Sequence, residues 1–194
     1  MLLLGSEDEF HEELQRCAMQ VKFRLDDMIP APDMHGAFRL PMSFLPESAI
    51  KLFKYFYDQK RDYMFQWAKE KGLLLDKLTK FGPQIILLKR GEISAASNEL
   101  SFSIVVPNPY KTQAGRVAVS ITSAISNNIP AYSRRDLEVG DVLILEGLEK
   151  LLVPYADATG TVQELFLVSA VHVANFVGQG KGGWNETVGM KEDS

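Results

Sequence analysis

The sequence predicts a mainly β protein with one long helix, and three observations carry that reading. Several short stretches alternate apolar and polar residues with a period of two. Residues 47–71 run without Gly or Pro and read as a single helix. Strands and helices do not alternate along the chain, so a βαβ arrangement is disfavoured. The pattern suits a small barrel with a helical insertion. An OB-fold, the five-stranded Greek-key barrel, is one candidate among several.

The elements follow in order. Residues 1–19 read as an acidic lead ending in a short helix, with Phe10, Leu14 and Cys17 spaced four and three apart. Val21 to Leu25 alternates and reads as a half-buried strand. Asp26 to His35 is a loop rich in Asp and Pro. Phe38, Leu40, Met42 and Phe44 alternate with Arg39, Pro41 and Ser43, and Pro41 confines that strand to an edge or a bulge. The long helix then spans about 46–71. Pro46 suits its first position, Glu47 complements its dipole, Lys69 and Lys71 close it and Gly72 stops it. At 1.5 Å per residue it is about 39 Å long. Phe53, Phe56, Met64 and Trp67 share a stripe that reads as core packing.

Beyond Gly72 the pattern turns to strands. Gln84 to Lys89 is an apolar run, and Phe102, Ile104 and Val106 alternate before the Pro107-Asn108-Pro109 turn. Val117, Val119 and Ile121 alternate in turn, and Val142 to Leu145 follows the Gly140-Asp141 turn. Leu148–Tyr155 and Gln163–Val177 read as a hairpin across residues 156–160. Its second strand is apolar on both faces and so is expected at the centre of a sheet. Residues 20–177 thus form the folded domain, and 178–194 a Gly-rich, polar, flexible tail.

A chain of 194 residues with 46% hydrophobic and 24% charged residues buries enough surface to fold without disulfides or metal. Its single cysteine, Cys17, fits a reducing compartment. No apolar run approaches the ~20 residues of a membrane span. The net charge of −4 argues against a nucleic-acid binder, but its distribution matters. Residues 1–13 hold five acids and no Lys or Arg, and 179–194 hold three acids and two lysines. Setting these ends aside leaves 19 basic and 17 acidic residues in the body, a mild positive excess.

No catalytic constellation stands out, so an enzyme is not expected. The phosphate-loop, dinucleotide and nucleophile-elbow motifs are missing. His11, His35 and His172 are scattered singly, without partners at metal-ligand spacing, so no cofactor or metal is expected. What remains is basic residues interleaved with aromatics. Arg39 lies beside Phe38, Lys89 and Arg90 adjoin, Tyr110 precedes Lys111, Tyr132 precedes Arg134 and Arg135, and Lys150 leads to Tyr155. Single-strand binders use this mixture, cations tracking phosphates while rings stack on bases.

The C-terminal third adds a specific pattern. Gly140-Asp141-Val142-Leu143-Ile144-Leu145 is followed by Leu151-Leu152-Val153-Pro154-Tyr155, by Leu165-Phe166-Leu167-Val168, and by Phe176-Val177-Gly178 leading to Trp184. This order resembles the single-stranded DNA-binding proteins of short-tailed, T-seven-type bacteriophages. The stretch from Gly36 to Gly72 also resembles that family's strand and inserted long helix. The resemblance implies an OB-fold protein that coats single-stranded DNA in phage replication and recombination, in the host cytoplasm. It implies a possible homodimer, and an acidic end that contacts replication proteins. Tyr155 matches the family's hairpin tyrosine, a DNA-contacting position. The family's strongly acidic tail has a short counterpart here, with net charge −1 after residue 178. The rival expectation is a non-enzymatic assembly module that binds protein through the barrel and the aromatic helix.

Overall fold

The computed structural model describes residues 2–3, 8–32, 34–70, 72–95, 99–110, 116–123, 131–146, 149–154, 160 and 162–176. Over these residues the protein is mainly β, built from two antiparallel sheets and two α-helices. The helices are α1 (Asp8–Met19) and α2 (Glu47–Glu70). The strands are β1 (Leu2–Leu3), β2 (Ile29–Pro30), β3 (Ala37–Arg39), β4 (Leu73–Lys89), β5 (Glu92–Ser94), β6 (Glu99–Val106), β7 (Val117–Ser123), β8 (Ala131–Leu137), β9 (Val142–Glu146), β10 (Lys150–Leu152) and β11 (Glu164–Phe176).

The larger sheet has seven strands in the order β1-β9-β6-β11-β4-β3-β2, and the smaller has four in the order β5-β10-β7-β8. Their alternation creates two cores. Phe102, Ile104, Ile144, Phe166, Val168 and Leu87 point from the large sheet towards the helices, where Leu14, Leu52, Phe56 and Met64 meet them. Their neighbours Val105, Leu143, Leu165, Leu167 and Leu88 point the other way, onto Ile93, Val119, Ile121 and Leu151 of the small sheet. The layers therefore run helices, large sheet, small sheet. A sheet covered on both faces needs strands apolar on both faces, which is what β6, β9 and β11 show.

The long helix holds as expected from 47 to 70. Phe53, Phe56 and Met64 of its stripe are buried, so the stripe is core. The side chain of Trp67 lies outside the described residues. β11 sits at the centre of the large sheet, between β6 and β4, as its two apolar faces imply.

Three local readings are corrected. Val21–Arg24 forms no strand, and Leu25–Asp27 is a turn of 3-10 helix. Val21 is buried in the helix-side core, so its alternation records packing and not pairing. The strand at Phe38 ends at Arg39, and Met42–Phe44 is 3-10 helix, because Pro41 offers no N–H to continue a ladder. The expected hairpin of 148–155 with 163–177 does not form. β10 pairs with β5 and β7, whereas β11 pairs with β4 and β6 in the other sheet. The chain crosses between sheets at that point.

β4 contains Gly82-Pro83, and its pairing with β11 shifts register between Ser169 and Val171, opposite that dipeptide, and twice more before Ala174. A proline cannot donate to the ladder, which accounts for the first shift.

Candidate nucleic-acid interface

The register of the small sheet sets what its outer face presents. Ile121 and Leu151 turn inward, so their neighbours turn outward. One row of paired residues runs Ser94, Lys150, Thr122, Tyr132 across the four strands, with Ser94 and Lys150 exposed on the outer face. The next runs Glu92, Leu152, Ser120, Arg134. Two expected site residues, Lys150 and Arg134, therefore share one face, and Tyr132 holds a register position in the first row. The side chain of Tyr132 lies outside the described residues. Lys150 Nζ lies 3.2 Å from Glu92 Oε1, an exposed pair. Arg134 and Arg135 are exposed on β8, an edge strand, with Arg135 opposite Val119 on the other face.

A cleft of about 670 Å³ opens at the end of this face. It is lined by His35, Arg90, Gly91, Glu92, Ser120, Leu152, Val153 and Pro154. Its geometry is set by an unusually close approach of two backbones. A Cβ on Gly36 would stand 2.6 Å from the Arg90 carbonyl oxygen, and one on Gly91 2.7 Å from that of His35. Both positions need glycine. Lys89 N donates to Gly36 O at 2.9 Å, and Val153 N to Gly91 O at 3.0 Å, tying the loop to both sheets. Between these anchors Arg90 takes φ +50°, the one positive φ of a non-glycine among the described residues. Strained backbone held this way concentrates at ligand sites.

The remaining expected residues fall elsewhere. Lys89 Nζ pairs with Glu164 Oε1 at 2.9 Å and lies over the Phe38 ring at 6.0 Å. Asn108 Nδ2 donates to the other oxygen of Glu164 at 3.0 Å, and the backbone N of Tyr110 donates to Asn108 Oδ1 at 2.9 Å. Lys89 and Asn108 thus hold one carboxylate, with the exposed Tyr110 following Asn108 by two residues. Arg39 is half-buried on β3 of the large sheet. Tyr155 and Lys111 lie outside the described residues, as does the tail from 177 onwards.

Sequence reasoning missed Ser120, Glu92 and the glycine pair, and treated His35 as an isolated histidine. No local pattern marks them, because they meet only through the packing of residues 35–36 against 89–91.

A second cleft, of about 720 Å³, lies between α1 and α2 and is lined by Glu9, Phe10, Glu12, Glu13, Arg16, Tyr55, Gln59 and Lys60. Phe10 and Tyr55 stack at 5.9 Å, and Lys60 Nζ sits 4.4 Å from the Phe10 ring. Arg16 binds Glu13 through two guanidinium nitrogens and holds its carboxyl below the usual range. Burial and then the Glu13 charge push the Cys17 thiol up, and the same two causes raise Tyr55. Three glutamates make this cleft a poor place for phosphate. Among the described residues no group of three His, Cys, Asp or Glu is placed to hold a metal ion.

No family model matches this chain, and no curated protein does. The 7S globulin of Momordica charantia is similar over 79% of this chain and 36% of its own, at 12% identity and a TM-score of 0.36. A vicilin from Solanum melongena is similar over 48% of this chain and 25% of its own, at 16% identity and a TM-score of 0.24. The chain thus spans about a third and a quarter of these two proteins. Likeness at this level assigns neither a family nor an activity.

Proposed function

We propose that the chain binds single-stranded DNA without sequence preference, coating it during phage replication and recombination, and carries out no chemistry. The observation that supports this is the convergence of Lys150, Arg134 and the Arg90 cleft on one side of the small sheet. Tyr132 stands in the same row, and Tyr155 follows Pro154 at the cleft's rim in sequence. Cations spaced across a sheet face can follow a phosphate backbone, while rings beside them stack on bases. With this reading goes an OB-type barrel that has opened into two sheets. The described pairings stop short of closure, since β5 and β8 edge the small sheet and β1 and β2 the large one. A homodimer and recruitment of replication proteins through an acidic end belong to the same proposal.

The rival is a non-enzymatic assembly module that binds protein through the barrel and the aromatic helix. Phe53 and Phe56 are spent in the core and are not available to a partner.

Titration into fluorescent oligo-dT at several salt concentrations, with a duplex of equal length as control, tests the reading. With three cations on phosphates, log affinity falls against log salt with a slope of roughly −2. The single strand outcompetes the duplex, and Lys150→Ala with Arg134→Ala flattens the slope. Absence of binding at low salt would falsify the proposal.

A further inference from the structure

We infer that the cleft at the end of the small sheet is a mononucleotide site, which takes one base of the bound strand out of its stack together with that unit's phosphate. This rests on the proposed single-strand reading and deepens it. Its volume falls within the roughly 300–1,000 Å³ of small-molecule sites. Its lining divides by chemistry. Leu152, Val153 and Pro154 form an apolar surface suited to a heterocycle. The Ser120 hydroxyl and the Glu92 carboxylate supply hydrogen-bonding partners, and Lys150 beside Glu92 offsets its charge. Arg90 and His35, both exposed, stand at the same cleft as the groups for a phosphate.

The strained loop gives the cleft its rigidity. Gly36 and Gly91 let two backbones touch, and the Arg90 φ of +50° is held between them. A preorganised wall loses little freedom on binding, so a small ligand can be retained by few contacts. A residue in this backbone region is one that glycine would fill without strain. That arginine stands there makes its side chain the feature to test.

The variant Arg90→Gly removes the guanidinium while suiting the backbone, so the melting temperature is expected unchanged or higher. Thymidine monophosphate, thymidine and inorganic phosphate serve as probes in calorimetric titration. Wild type binds thymidine monophosphate better than either fragment, and Arg90→Gly weakens it roughly tenfold, to the level of thymidine. Ser120→Phe fills the cleft and abolishes mononucleotide binding while oligo-dT still binds with reduced affinity. Equal binding of thymidine monophosphate by wild type and Arg90→Gly overturns the inference. So does oligo-dT binding without mononucleotide binding, which leaves the single-strand reading in place. Failure of both ligands removes both readings. Mononucleotide binding without oligo-dT binding overturns strand coating, and with it the assignment of the cleft to a base of a bound strand.

Discussion

Ser103 and Ser169 face each other across β6 and β11, with their hydroxyl oxygens 2.6 Å apart and both side chains about 1% exposed. They are polar groups on the face of the large sheet that otherwise carries Leu143, Leu145 and Leu167. A hydroxyl here costs little while its partner is present and much when it is not. Ser103→Ala is therefore expected to destabilise by about 1–3 kcal/mol, through the stranded Ser169 hydroxyl. Adding Ser169→Ala should recover most of the loss. Urea unfolding of the two single variants and the double variant gives the coupling directly, and strictly additive effects would refute it. Ser103 was legible as a member of an alternating strand, and Ser169 as part of a strand apolar on both faces. Their pairing was not, because it depends on the register of strands more than sixty residues apart in sequence.

At the scale of elements, α1 is more than an acidic lead. Leu14 and Ala18 are fully buried, and Phe10 stacks on Tyr55 of α2. The contact half-buries two weak acids, Cys17 and Tyr55, whose ionised forms it disfavours. Both have raised values in the fold. The stability they contribute is thus complete below their ordinary values of 9.0 and 10.0, and is lost as pH rises through the raised ones. Glu13 has the opposite sign, contributing above its ordinary 4.5 and losing that as pH falls through its lowered value. Thermal melts from neutral pH upward should show a decline beginning near 9.0. The decline should shrink in the double variant Cys17→Ala, Tyr55→Phe. A decline of unchanged size would place its origin elsewhere. The sequence announced α2 because Pro46 and Gly72 mark its ends and nothing within interrupts it. It misled at Leu148–Tyr155 because a short apolar strand carries no mark of its partner. The Ala156–Gly160 segment reads equally well as a hairpin turn or as a crossing between sheets.

For the whole molecule, stability concentrates where both cores meet the same strands. Leu165–Ala170 of β11 is flanked on both edges and covered on both faces, so its amides are expected to open only with the global transition. Native-state hydrogen exchange is expected slowest across Leu165–Ala170 and Leu100–Val106, and fastest in the edge strands β2 and β5. Equal protection of β5 and β11 would contradict the three-layer account. The mainly β class was readable because alternation and two-sided apolar strands are local properties. The two-sheet division was not, since it is written in long-range pairing. The same division separates the expected binding residues. Lys150 and Arg134 share the outer face of the small sheet with β7 between their strands, while Lys89 turns to Glu164 and Arg39 stays on β3 of the large sheet. The position of β11 also governs how the chain comes into being. The strand that completes the middle of the large sheet is the last of those described to leave a ribosome. Until residues 164–176 emerge, β4 and β6 lack the neighbour that joins them, and apolar surfaces of both layers stand open. A nascent chain halted before that point is expected to expose these surfaces and aggregate, whereas a completed one closes around its final strand like a keystone set last.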